Sequence, residues 1–510
     1  MKYTINSLRI ILLLVVIFSY NVLLGRNVSG SNIIGDKKDQ KSVLTLDDAI
    51  LVAMQRSPQF QIAELNFMSE YWSNRSYKAL FLPSFSLTSD IGNYNRSLTE
   101  VRDYETGDVK YIANKSLSND ISFSIKQNIA LTGGTVSLNT SLYRLDQFDR
   151  ENKVIYNSNP VTINYNQPLR TFNELKWRKK IDPKEYENAK RSYLESVQQI
   201  KINVSSYFFS VLSAQTNYKK AIQNSIDTKH LYEIAQKRFK IGTITKSELL
   251  QLELSVLNKN LAINKSKVSL DIAVYSFCSY LGIPENTNIE LMPPMEVPNI
   301  EMDFQTVLDK ANKNSTFQIS QELKLLNADK SVAQAKSNKG IQINLKMNLG
   351  FSQTSDNLSK VYQNIKDQEI LGLSLNIPIC DWGKSKGQVK MSQARQRVVR
   401  TEAQQAELNF VQDIRIKVLE FNNQAEQCSL SKKAMEVAKE RYAITLKHFE
   451  NGTITVTDLN TALTEQDDSQ SQYISQLRAF WSSYYELQHL SLYDFRKGKD
   501  ISAEFDKIVK

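Results

Sequence analysis

The segment Arg238-Phe-Lys-Ile-Gly-Thr-Ile-Thr-Lys-Ser-Glu-Leu249 returns downstream as His448-Phe-Glu-Asn-Gly-Thr-Ile-Thr-Val-Thr-Asp-Leu459. Further upstream, Asn166-Gln-Pro-Leu169 returns as Asn376-Ile-Pro-Ile379. Both pairs keep a spacing of about 210 residues, so a whole strand-helix-turn-helix unit is duplicated without gaps. A fold for this chain must accommodate one architecture twice.

The segments around the repeated turns are long and helical in pattern. Val197, Ile200, Val204, Tyr207, Val211, Ala214, Tyr218 and Ala221 step alternately by three and four, a heptad rhythm. It resumes after Gly242 in Leu250, Leu254, Leu257, Leu261, Asn264, Val268 and Tyr275. The second copy repeats it with Ile414, Val418, Phe421, Ala425 and Cys428, then with Leu459, Leu463, Gln466, Gln470, Tyr473, Leu477, Phe480, Tyr484 and Leu487. Two antiparallel coiled-coil hairpins are expected. Asp182-Pro183 reads as an N-cap and first helical position, and helix from there to Lys240 would extend roughly 85 to 90 Å. A single hairpin of that length leaves one face uncovered, so lateral neighbours are required.

Between the helical stretches the period changes from seven to two. Ile341, Ile343, Leu345, Met347, Leu349 and Phe351 alternate with polar residues over about ten positions, the length of a tilted membrane β-strand. The same alternation marks Leu371 to Ile379, Val161 to Leu169, Ile121 to Ile125, Val136 to Leu142 and Phe85 to Ile91, six candidate strands in all. A soluble sheet with one wet face shares this pattern. The membrane reading is favoured by Tyr94, Tyr143, Phe148, Tyr156, Phe172 and Phe351 at strand ends, and by an N-terminus that reads as an export signal. There, Lys2 and Arg9 precede the apolar run Ile10 to Phe18, followed by small residues.

Composition excludes more than it assigns. The net charge of +10 on 510 residues is dispersed among acids without a stripe or tail, which argues against nucleic acid as a partner. His230, His448 and His489 lack companions at ligand spacing and are expected on helix surfaces. Cys278, Cys380 and Cys428 read as small buried hydrophobes, with one disulfide the lesser alternative. No nucleophile elbow or phosphate loop is present, so no enzyme activity, cofactor or metal site is expected.

Leu44-Thr-Leu-Asp-Asp-Ala-Ile with Arg56-Ser-Pro, Leu82-Pro83 before a strand, Gln-Pro-Leu169 ending another, and the paired Gly-Thr turns together resemble the TolC-like outer-membrane factor family, from about Leu44 to Asp494. The resemblance implies an α+β membrane protein of the Gram-negative outer membrane. It implies a homotrimer whose shared β-barrel, in contact with outer-membrane lipid, continues into a long periplasmic α-helical coiled-coil barrel. It further implies docking to a periplasmic adaptor and an inner-membrane transporter, with the tips Ile241, Gly242, Thr243 and Asn451, Gly452, Thr453 as the docking mouth. Counted from those turns, Asp458 matches a family acid at the closed constriction, Thr461 replaces a second one, and Glu248 is the acid of the first copy. Each acid has a plainer reading as a first-turn helix residue favoured by the macrodipole, with Gly taking the left-handed helix end and Thr capping the next helix. Glu465, Asp467 and Asp468 read as solvated surface.

One departure concerns the strands. The opening helix repeats at about 258 residues rather than 210, so the first copy holds about 48 extra residues. These are expected to include the Ile121 to Leu142 hairpin, turned at Thr132-Gly133-Gly134. Family members usually contribute four strands, and this chain is expected to contribute six, either widening a barrel or forming an external flap. The expected division is signal peptide 1–25, leader 26–43, first repeat 44–282, equatorial linker 283–302, second repeat 303–495 and tail 496–510. The function expected is passive export of small molecules through a tripartite efflux system. The alternatives are a protein-secretion duct or, in another class, a trimeric coiled-coil surface stalk.

Overall fold

The two halves repeat with no slippage in their helices. The structure, a computed structural model, describes residues 42–509 apart from 103, 106, 149–152, 286, 288, 295, 296, 299 and 452. The expected signal peptide and most of the expected leader therefore lie outside the described residues. Two short helices, α1 (Leu46–Arg56) and α2 (Pro58–Ala79), lead into strands β2 (Ser84–Arg102), β3 (Val109–Ile129), β4 (Gly134–Gln147) and β5 (Lys153–Pro168). Next come α3 (Glu174–Lys240) and α4 (Lys246–Leu281). The second half repeats this as α5 (Phe304–Asn314), α6 (Thr316–Lys339), β7 (Gln342–Ser355), β8 (Lys366–Asn376), α7 (Lys384–Glu450) and α8 (Val456–Ser491). Helices α3 and α7 have 67 residues each, and α4 and α8 have 36 each.

The leader's last residues differ from expectation. Ser42–Leu44 forms a strand, β1, paired in parallel with β6 (Ile289–Leu291), so the expected linker carries one strand of this belt. Leu44 and Leu291 are buried there. The tail closes the same level: β9 (Tyr493–Asp494) pairs with β10 (Lys499–Asp500), and Phe505 of the short helix α9 (Phe505–Ile508) packs on Phe67 and Tyr193.

The long helix begins earlier than Pro183 suggested. Asn173 is the N-cap of α3, its side chain accepting from the Lys176 N–H at 3.0 Å. Pro183 lies inside the helix. An internal proline removes one helix hydrogen bond, but a segment held by tertiary packing tolerates it. Ile181 is buried beside it, and Asp182 pairs with Arg178 at 2.7 Å rather than capping. At 67 residues α3 is about 100 Å long rather than 85 to 90 Å.

The helices form four staves. Helix α4 packs along α3, α8 along α7, and α3 touches α8 between them. Helix α2 continues the line of α4: Gly282, at φ +70°, ends α4 so close to Arg56 and Pro58 that a Cβ there would overlap the Arg56 carbonyl oxygen. Helix α6 continues α8 in the same way, Asn314 donating to the Ser491 carbonyl at 3.3 Å. The main core fills the waist where the staves break, around Phe208, Phe209, Phe277, Phe421, Phe480 and Tyr484. The predicted inner heptad residues Val204, Val211, Ile414, Phe421, Leu477 and Leu487 are all buried there.

All six predicted strands join one antiparallel sheet in the order β2-β3-β4-β5-β7-β8. Strand β2 extends well past Ile91, which leaves Tyr94 in its middle rather than at its end. Among the described residues, no helix is long and apolar enough to cross a membrane.

Candidate functional site: the paired helix tips

At the end of the staves remote from the sheet, two turns reverse the hairpins with nearly the same hydrogen bonds. Gly242 adopts φ +73°, a conformation open to glycine at little cost, and so lets α3 stop at Ile241. The Thr243 N–H and hydroxyl both donate to the Arg238 carbonyl at 3.0 Å. In the second turn Thr453 does the same to the His448 carbonyl, at 3.0 and 2.9 Å. Thr243 and Thr453 thus close the helix that ends rather than cap the one that begins. Capping falls to Thr245 and Thr455. Gly452 lies outside the described residues.

The predicted acids sit in the first turn after each tip. The Asp458 carboxylate accepts from the Thr455 hydroxyl at 2.7 Å and the Thr455 N–H at 3.1 Å, while the Asp458 N–H donates to the Thr455 hydroxyl at 3.2 Å. Glu248 makes the equivalent box with Thr245 at 2.9, 2.7 and 3.2 Å. These bonds favour the charged form. The Thr455 hydroxyl, then its N–H, hold Asp458 below the usual aspartate value, and the Thr245 N–H, then its hydroxyl, do so for Glu248. Both acids thus complete capping boxes at the starts of α4 and α8. Asp458 remains exposed, with Thr461 one turn on and also exposed. Thr461 donates to the Thr457 carbonyl at 3.0 Å. Helical spacing extends this open face to Glu465 and Asp468.

The two tips are fastened to each other through contacts the sequence reading did not identify. The Arg238 guanidinium donates to the carbonyls of Phe449 and Glu450, both at 3.1 Å, and lies 5.4 Å over the Phe449 ring. Leu231, Ala235, Leu249, Leu252, Tyr442, Phe449, Leu459 and Leu463 form an apolar cluster just behind. Further along, Asp467 is not solvated surface: Asn224 donates to it at 2.8 Å, and Lys220 lies 3.5 Å from its carboxylate and 2.8 Å from its carbonyl. Glu465 pairs with Arg441. Burial, then nearby Asp227, pushes the Tyr442 hydroxyl up to about 12. Arg238 and Lys220 reach partners more than 200 residues away, so no local pattern could reveal them.

Other expectations shift. Cys278 and Cys428 are buried, but Cys380 is exposed, and all three are free thiols. His489 is half-buried, with burial holding it below the usual histidine value. Among the described residues no group of His, Cys, Asp and Glu is placed to hold a metal ion.

Comparison with known proteins decides what kind of molecule carries these tips. The outer membrane efflux protein family matches residues 49–282 and 308–490, one match in each half. The chain belongs to the outer membrane efflux protein family. Its fold is that of the Campylobacter jejuni CmeC outer membrane channel, with a TM-score of 0.64 at 14% identity over 95% of both chains. The outer membrane protein VceC from Vibrio cholerae gives 0.61 at 12% identity, covering 88% of this chain and 95% of that one. The open state of the Neisseria gonorrhoeae MtrE outer membrane channel gives 0.56 at 13% identity, covering 90% and 89%. No curated protein sequence matches. Family membership places the chain among outer-membrane efflux proteins.

Proposed function

We propose that three copies of this chain assemble into a passive exit duct spanning the outer membrane and reaching into the periplasm. There its helix tips would meet a periplasmic adaptor coupled to an inner-membrane transporter that supplies the energy. The observation that carries this reading is that both flanks of the single chain are unfinished. On one flank, α4 exposes the predicted stripe Leu250, Leu254, Leu257, Leu261, Val268 and Tyr275. On the other, α7 exposes Leu408, Leu419, Leu430, Val437 and Ile444. Stripes at this spacing are covered by another helix in a stable fold. The sheet is open on the same terms, with β2 and β8 as unpaired edges.

In this reading Asp458 and Thr461 line the closed mouth together with Glu248, and three copies concentrate carboxylates near one axis. Ile241, Gly242, Thr243, Asn451, Gly452 and Thr453 form the surface the adaptor engages. Arg238 acts as the latch, because it bridges the end of α3 in one hairpin to the end of α7 in the other.

Reconstitution into planar bilayers tests this. The wild-type protein is expected to give small, discrete, cation-selective conductance steps, and Arg238→Met to enlarge them several-fold by freeing one tip from the other. Absence of any conductance from a correctly folded preparation contradicts the duct.

A further inference from the structure

We infer that the inserted β3–β4 hairpin is part of the barrel wall, so that three copies close an eighteen-stranded barrel whose bore does not narrow above the helical tunnel. This deepens the duct reading and rests on its trimer.

The hairpin continues the sheet on both faces. One row of paired residues runs Phe85, Ile125, Leu138, Ile163 and Leu349, apolar through five successive strands. The neighbouring row on that face runs Gln127, Val136, Tyr165, Met347 and Leu371, polar only at Gln127, which donates to the Phe81 carbonyl at the foot of the sheet. The opposite face reads Ser86, Ser124, Asn139, Thr162, Gly350 and Gln368 across all six strands. A flap lying outside the wall has no reason to keep an apolar face in register with the strands on either side. A wall strand between lipid and water must keep it.

The hairpin's turn is also built into the joint between sheet and staves. The Asn173 side chain, which caps α3, donates to the carbonyls of Ala130 and Leu131 at 3.2 and 3.3 Å. Gln167 donates to the Thr132 carbonyl at 3.1 Å, and Asn128 to the Leu80 carbonyl at 2.9 Å. The insertion adds two strands, so the count per chain stays even and the two edges run in opposite directions. Strand β8 of one copy can therefore pair antiparallel with β2 of the next.

The perimeter gives the consequence. Three copies of four staves, at about 10 Å each, need a ring of about 120 Å. Eighteen strands about 4.8 Å apart, tilted by about 40°, give about 110 Å, whereas twelve give about 75 Å. The longer wall matches the tunnel below it. The narrow point of the path is then the mouth at the tips, and the outer-membrane segment admits cargo of large cross-section, polypeptide included, once that mouth is open.

Electron-spin distance measurements on the detergent-purified full chain test this. Ile163→Cys, on the apolar face of β5, is spin-labelled in a Cys380→Ser background so that the exposed native thiol stays silent, and Leu349→Cys gives an independent reading. A trimer with eighteen strands places equivalent labels about 40 Å apart, and one with twelve about 30 Å apart. The longer distance at both sites supports the wall. The shorter one in an intact trimer overturns it while leaving the duct standing. A particle without inter-chain distances, shown to be a monomer, sinks both.

Discussion

Asp458 caps a helix through a box with Thr455 and, in the proposed duct, also charges the mouth, and substitution can separate the two. Asp458→Asn retains an acceptor for the cap and removes the charge. It is expected to lower cation selectivity in bilayers with little change in thermal stability, whereas Asp458→Ala should also loosen the start of α8. Equal cation selectivity in wild type and Asp458→Asn would remove the residue from the mouth. The cap itself has a pH signature. Asp458 and Glu248 are held below their ordinary values in the folded chain, so their contribution is complete at neutral pH and disappears as pH falls through the ordinary carboxylate range and below it. Protection factors of the first-turn amides of α4 and α8, taken against the intrinsic exchange rate at each pH, should therefore fall on acidification in that window. A pH-independent protection there would contradict the capping role. These acids were legible because they stand at a fixed count from a repeated turn. Arg238, Lys220 and Asn224 were not, since their partners belong to the other copy and only folding brings the copies together.

At the scale of elements, periodicity proved the most readable signal. The heptads located both hairpins and the buried stripes of α3, α7 and α8, whereas the stripe expected on α4 faces outward and Leu249, Leu252 and Phe277 are buried instead. The alternation located six strands. Helix ends were read less well. Pro183 looked like a start because proline favours the first turn, yet Asn173 takes the cap and the helix runs through the proline. The stacking of α2 on α4 could not be read at all, because it depends on a close approach between residues more than 200 positions apart. Gly282 makes that approach possible. Gly282→Ala should cost at least about 1–2 kcal/mol from its left-handed backbone alone, with the overlap on Arg56 adding to it. The purified protein should unfold at a clearly lower temperature. An unchanged melting point would mean that the joint between the two helices is not fixed as described.

The molecule as a whole is defined by what a single copy leaves open. Its staves run α4 with α2, then α3, then α8 with α6, then α7, and among the described residues the outer faces of α4 and α7 and the outer edges of β2 and β8 are left without a partner. The duplication made the repeated architecture legible from the sequence. That the extra hairpin pairs in register within one six-stranded sheet was not legible, because alternation fixes no pairing partner. Register across neighbouring strands is what supports the proposed wall. Native mass spectrometry of the detergent-released complex tests the central claim most directly. Particles of three chains, losing one chain only on harsh activation, are the expected result, and a stable particle of one chain would contradict the account.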